Sequence, residues 1–472
     1  MDTITEKQLI QHPPAEHGNL VGYCLWLGLV LGACYLLSPY DEPAALLPLY
    51  AIEGILALAA FHSLCPWLRH QATIMAALLF TISFGVAALV VADYSAEFNA
   101  PWSWSDDWHY VLDAEFVAEA LRSSHWNLLV AWNDYTANVM HWSLAGWPFL
   151  LGTVSSVFLP EGAPLEAYHA VALSLNALFL TVTLAMMFHV LGDAAKRPSW
   201  RLLLCFLLMA GSPLVYAGES RKESMLQFAL MAAFMAGTMN VKRGFLRPAL
   251  WLIVAMLSLA TTRTIYLIIP AAIIYLRVSE SFGIKTLRTI VVGAAVLLAA
   301  YPILQALPMR EQTVGQFIAS RAAEGLNAEM GLGMRIYSTP VVGPAAFYLL
   351  SPLPINPLNT EASLSKVLVS AGNVFYVLGF LYVGYCLLLR GRALFQGVFP
   401  FAAITFLFVF GGTVLVADDP RYKQPSNFYL AMMLYLALTD AHRVAVCRSL
   451  AGNCLPGPAG QPMRGRRLRT AG

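Results

Sequence analysis

Two carboxylates stand side by side in Trp104-Ser105-Asp106-Asp107-Trp108-His109-Tyr110, shortly after an apolar block that ends near residue 92. If that block crosses a bilayer, the pair sits near the headgroup level. Adjacent acids beside a low-dielectric surface repel one another, which favours a proton on one of them and suits a general base for a hydroxyl or amine acceptor. A divalent cation, Mg or Mn, could instead bridge the pair to a phosphate. The same Ser-Asp-Asp also starts a helix well, so one carboxylate can cap Tyr110 to Leu121 while the other reacts.

Three basic clusters accompany the acids. Thr261-Thr262-Arg263-Thr264 interrupts two apolar blocks, each barely long enough to span. Arg263 either snorkels from a helix end or offers its forked donors to a lipid-linked phosphate. In Glu219-Ser220-Arg221-Lys222-Glu223 the default is mutual pairing on a solvated surface, with Arg221 and Lys222 as alternative anion ligands. Asp418-Asp419-Pro420-Arg421-Tyr422-Lys423 supplies Arg421 and Lys423 as phosphate ligands and its acids as metal or sugar contacts. His109, His125, His141 and His169 match no compact metal motif and read as interfacial. No Gly-rich phosphate loop, Gly-x-Ser-x-Gly elbow or His-Glu-x-x-His occurs, which argues against nucleotide-driven, serine-hydrolase and zinc-protease chemistry.

The elements that position these residues are membrane helices. The 472 residues are 58% hydrophobic and 12% charged, against about a quarter charged in soluble domains. Mean hydropathy is +0.63. Apolar blocks of about twenty residues predict an all-α polytopic membrane protein with about twelve spans. They cover 20 to 38, 44 to 66, 72 to 92, 167 to 191, 200 to 217, 223 to 240, 247 to 262, 264 to 278, 288 to 307, 366 to 389, 394 to 416 and 427 to 441. Met1 to Asn19 lacks the basic start of a cleavable signal peptide, so Leu20 to Leu37 is expected to stay as an anchor with a cytoplasmic N-terminus. Arg69, Lys196, Lys242, Lys285, Arg390 and Arg443 then all fall in loops that alternation places inside.

Alternation places the acids and the three basic clusters outside. The chain divides into an N-terminal region of three spans (1–92), an extracytoplasmic loop with the acidic pair (93–166), a membrane core (167–441) and a cytoplasmic basic tail expected to lack structure (442–472). The loop holds Trp102, Trp104, Trp108, Trp126, Trp132, Trp142 and Trp147 and predicts amphipathic helices lying in the interface. Proline-rich Ser351 to Pro357 predicts a surface or re-entrant element. A net charge of +2 gives a nucleic-acid role little support.

In order and sidedness these residues resemble the GT-C superfamily, the membrane glycosyltransferases that use polyprenyl-phosphate sugars and include protein O-mannosyltransferases and aminoarabinose transferases. Asp106-Asp107-x-x-Tyr110 resembles the family's acidic pair, in which one carboxylate serves as base or metal ligand. Gly146-Trp147-Pro148-Phe149-Leu150 is similar to the following proline-containing stretch, Thr262-Arg263 to a Thr-Arg turn, and Arg421-Tyr422-Lys423-x-Pro425 to the run before the last helix. Here the pair follows the third apolar block rather than the first, and its second acid is Asp where Glu is commoner.

The resemblance implies a GT-C-like bundle at a bacterial inner (plasma) membrane with its site facing outside. Its partners would be a polyprenyl-phosphate-linked sugar, membrane lipid, and an acceptor glycan, lipid or protein, in envelope glycan or glycolipid synthesis. Asp106 and Asp107 would be catalytic, and Tyr110, Arg221, Lys222, Arg263, Arg421, Tyr422 and Lys423 would bind substrate. A polysaccharide polymerase or ligase, a lipid-linked oligosaccharide flippase and a non-catalytic scaffold are the alternatives.

Overall fold

The structure, a computed structural model, describes residues 20–68, 70–98, 106–139, 144–192, 199–209, 211–218, 221–239, 246–267, 269–271, 273, 308–309, 312–313, 349, 364–394, 398–416 and 424–453. Among them are fourteen α-helices: α1 (Leu20–Leu37), α2 (Leu47–Leu64), α3 (His70–Phe98), α4 (Asp106–Ser123), α5 (Leu128–Asn138), α6 (Gly146–Phe158), α7 (Leu165–Leu191), α8 (Ser199–Met209), α9 (Gly211–Gly218), α10 (Glu223–Thr238), α11 (Leu246–Thr262), α12 (Leu364–Leu394), α13 (Phe399–Val416) and α14 (Gln424–Asn453). The strands described are an antiparallel pair, Pro308–Met309 with Gln312–Thr313.

Apart from α4 to α6, the described helices fall where the apolar blocks lie, because a chain in hydrocarbon must satisfy its backbone groups within each segment. Four are long and apolar enough to cross a bilayer: Pro43–Leu64, Gln71–Asp93, Leu165–Leu191 and Val367–Leu389. Gly22–Leu37, Gly146–Phe158 and Leu246–Thr262 are shorter apolar helices. Large leucines point away from the packed interior, Leu36 being 80% and Leu388 88% exposed. In an aqueous protein such surfaces would be unfavourable, whereas against lipid they cost nothing. The chain has the character of an integral membrane protein.

At the centre is α7, whose 27 residues give a length of about 40 Å. It begins after Pro164, and Gly192, at φ 49°, ends it in a conformation that L side chains rarely adopt. Helices α2, α3 and α10 pack along it. Asp93 near the end of α3 accepts a hydrogen bond from the Ser365 N–H (3.3 Å), so a carboxylate far away in sequence caps the start of α12.

Two differences from the sequence expectation have physical causes. The chain after α11 enters a 3-10 turn, Thr264–Leu267, before any further helix. Helix α14 runs on to Asn453, correcting the expectation of an unstructured chain from 442, because no Gly or Pro occurs between Ala441 and Ala451.

The first long loop is corrected in part as well. It forms helices α4 to α6, but α6 does not lie flat. Trp147 at its start packs with its ring centre 6.3 Å from that of Phe179, fourteen residues and therefore about 21 Å along α7, while its end leads into the start of α7 through six residues. Helix α6 thus runs antiparallel along the first half of α7. Helix α4 packs beside it: a Cβ on Gly152 would stand 2.5 Å from the Ala114 carbonyl oxygen, so only glycine permits the approach. Arg122 near the end of α4 donates through Nη2 to the Leu159 carbonyl (2.7 Å), closing the C-terminus of α6.

Candidate functional site

The most unusual charges in the described structure are at the start of α10. Arg221 and Lys222 are only 7% and 5% exposed, and Lys222 is the residue preceding the first helical turn. The N-terminus of a helix is its positive end, so two cations there are held against the dipole. Aromatic faces offset the cost in part. The Arg221 guanidinium carbon lies 5.3 Å from the centre of the Tyr216 ring, and the Lys222 ammonium 5.5 Å from that of Tyr110. Each such contact stabilises by about 0.5–2 kcal/mol. An anion arriving at this point would meet two buried cations and a helix N-terminus together.

Helix α7 fixes the chain that leads to this pair. The Asn176 amide donates to the Ala217 carbonyl (3.1 Å). His169 meets the Gly218 carbonyl at 3.0 Å through Nε2, which must carry the proton because a carbonyl cannot donate. His169 and Asn176, both fully buried, lie two turns apart on one stripe of α7. They pin the end of α9 just ahead of Arg221. The interfacial reading of His169 is therefore corrected: it is a buried brace.

Tyr110 connects the acids to this cation site. It is 7% exposed and sits one turn beyond Asp106 and Asp107, which open α4. The first turn of the acidic helix and the basic start of α10, far apart in sequence, thus meet at Tyr110 and Lys222. Helix α11 reaches the same end. It returns alongside α10, with Trp251 6.3 Å from Phe228, and ends in Thr262 and Arg263 on the same side of the bundle as, and beyond, the start of α10. Its last turn is closed by the Arg263 N–H on the Leu259 carbonyl (2.9 Å) and by the Thr262 hydroxyl on the Ser258 carbonyl (2.5 Å). Gly146 opens α6 against Thr261, whose Cβ would be 2.7 Å from any Cβ added there.

Of the residues singled out in the sequence, Tyr110, Arg221 and Lys222 come together, Arg263 ends the neighbouring helix, and Asp106 and Asp107 begin the helix that carries Tyr110. Arg421, Tyr422 and Lys423 lie outside the described residues, as does the proline-rich stretch Ser351 to Pro357. Helix α14, which follows the Arg-Tyr-Lys run, packs Tyr429 5.4 Å from Phe234 of α10 and Phe428 4.8 Å from Phe206 of α8. Among the described residues no group of three His, Cys, Asp or Glu could hold a metal ion.

Sequence reasoning missed Asp113, two turns from Asp106 on the same face of α4. It accepts a hydrogen bond from the Tyr135 hydroxyl (2.9 Å). Burial raises its pKa from the ordinary carboxylate value, while that hydrogen bond and the nearby His109 pull the other way. The seven-residue spacing from Asp106 was the signal available. Compared with known proteins, the chain gives no match to a protein family, a curated protein or a solved structure.

Proposed function

We propose that this protein is a membrane glycosyltransferase of the GT-C kind, transferring a sugar from a polyprenyl-phosphate carrier to an acceptor on the extracytoplasmic face. The observation that carries the reading is the meeting of the acidic helix start with the buried cation pair through Lys222 and Tyr110. Arg221, Lys222 and Arg263, with Arg421 and Lys423 from the sequence, hold the donor phosphate. Asp106 or Asp107 takes the acceptor proton, directly or beside a bound Mg or Mn. Because the leaving group is a phosphate anion, stabilising its developing charge matters as much as the base. About twelve spans, a bacterial plasma membrane and an outward-facing site complete the proposal. The sidedness rests on the loop lysines and arginines.

The test is to offer purified protein a panel of polyprenyl-phosphate sugars and to measure release of the sugar-free lipid phosphate. One donor class is expected to turn over, and Asp106→Asn or Asp107→Asn to abolish release in a folded protein. Full activity in both single variants overturns the assignment.

One observation favours a second reading, a lipid-linked oligosaccharide flippase. Glu53, within α2, is 2% exposed, and ionisable groups inside a span mark transport pathways in many membrane proteins. Donor uptake without release of lipid phosphate would support that reading.

A further inference from the structure

The turn that joins α4 to α5 is held in a conformation its residues avoid. His125 and Trp126 have φ of 52° and 66°, the left-handed region that suits glycine and is unusual for a bulky ring. Such strain persists only where the surrounding structure imposes it, and it gathers at places that bind something. What this turn presents is apolar. Trp126 is 50%, Leu128 52%, Leu129 75% and Val130 51% exposed, and no Lys, Arg, Asp or Glu occurs from Ser123 to Asn133. Local bonds fix the tip. The Trp126 N–H donates to the Leu121 carbonyl (2.8 Å), and the Asn127 side chain caps α5 by accepting from the Val130 N–H (3.2 Å).

Helix α5 does not offer a broad apolar face. It folds back along α4, with the Tyr135 hydroxyl on Asp113 (2.9 Å) and Trp132 5.0 Å from Phe149 of α6. Beyond its first turn the exposed side carries Asn133, Asp134 and Asn138. The apolar surface is therefore the tip alone. Its height follows from α7. The 27 residues of that helix reach about 40 Å, the thickness of hydrocarbon and headgroups together, so its first turn belongs at the headgroup level. Arg122, one turn before Trp126, reaches both the Leu159 carbonyl (2.7 Å) and Tyr168 in that first turn. A tryptophan with uncharged aliphatic neighbours at this level fits the boundary between headgroups and acyl chains.

We propose that Trp126, Leu128, Leu129 and Val130 form a wedge that enters the lipid leaflet at the end where α7 begins. The wedge tethers the far end of α4 to the bilayer, while the near end of that helix carries the acids and Tyr110 of the candidate site. It demands nothing of the donor chemistry. Because the tip is uncharged, it needs no anionic lipid.

The experiment reconstitutes the full chain in phosphatidylcholine vesicles containing lipid brominated on the acyl carbons either nearest the headgroup or nearest the chain end. Fluorescence of wild type minus that of Trp126→Phe isolates one indole among the 11 tryptophans. That component is expected to be quenched about twofold more by shallow than by deep bromines, since such a wedge reaches roughly 5–10 Å into the boundary. Leu128→Ser combined with Leu129→Ser should lose most of the quenching. If Trp126→Phe does not fold, Leu129→Trp, which adds an indole at the most exposed position of the tip, reads the same contact as a new lipid-quenched component. A Trp126 component quenched by aqueous iodide and by neither lipid overturns the wedge, the result expected of a tip that faces water and serves a protein partner. Quenching that appears only when anionic phosphatidylglycerol is added overturns it too, since that contact would be driven by charge.

Discussion

At the start of α10 two cations are buried and each rests on an aromatic ring, whereas in α2 the Glu53 carboxyl is buried with no hydrogen bond to either oxygen among the described residues. Ser174 of α7 faces that carboxyl, yet its hydroxyl is committed to the Val171 carbonyl (2.9 Å). The surroundings differ in the same sense. Around Arg221 and Lys222, segments from α4 and α9 arrive at one end of the bundle, and α4 is led by two acids whose charge complements the cations. Around Glu53 the neighbours are Cys34, Tyr50 and the apolar faces of α1 to α3. Burial of charge is common to both regions. What distinguishes a candidate site is that several distant segments spend their burial on one place.

The contrast can be broken at its strong end first. Lys222→Ala removes both the proposed phosphate ligand and the contact with Tyr110, and release of lipid phosphate should fall by about a hundredfold or more, as when one preorganised charge-stabilising donor is lost. A variant within threefold of wild type would put the cation pair outside the site.

Next comes the scaffold that presents Tyr110. Gly152→Val would drive a side chain into Ala114 and Val117 and separate α6 from α4. Overpacking of this kind costs about 1–3 kcal/mol, so thermal unfolding should shift down with turnover falling alongside.

Glu53→Gln keeps the shape of the side chain and removes the carboxylate. If the weak end of the contrast is described correctly, donor turnover should change by less than about threefold, the range of ordinary substitutions away from a site. Loss of function comparable with Lys222→Ala would make α2 part of the working machinery and favour the transport reading.

The smallest effect concerns Asp113. Burial raises its pKa from 3.8, so the folded chain holds that proton more tightly than the unfolded one. Stability from this group is present below about pH 4 and is lost as pH rises through the raised value. Asp113→Asn, which still accepts from Tyr135, should flatten the melting profile in that window. An unchanged slope would show that Asp113 ionises as an exposed acid does.

The long apolar helices were legible because hydrocarbon imposes length and apolarity on a crossing segment: the four described helices fit to cross a bilayer lie along predicted blocks, α1 also matches its block, and α13 ends and α14 starts close to theirs. Arg221, Lys222 and Arg263 stood out as charges at the ends of apolar blocks. Their default reading as a solvated cluster fails for Arg221 and Lys222, since burial depends on what packs over them, and Tyr110 and Tyr216 come from other segments. The pinning of α9 by His169 and Asn176 was not legible, because two polar residues within an apolar helix do not state which carbonyl they face. The same holds for the antiparallel course of α6, which is fixed by Trp147 against Phe179 rather than by its own pattern.

The central claim is that the acidic helix start and the cationic start of α10 act as one site. A double-mutant cycle on lipid-phosphate release, pairing Asp107→Asn and, separately, Asp106→Asn with Lys222→Ala, tests it most directly. The account predicts strong non-additivity for at least one pair, with the double variant about as slow as its slower parent. Rate losses that simply multiply in both cycles would contradict it.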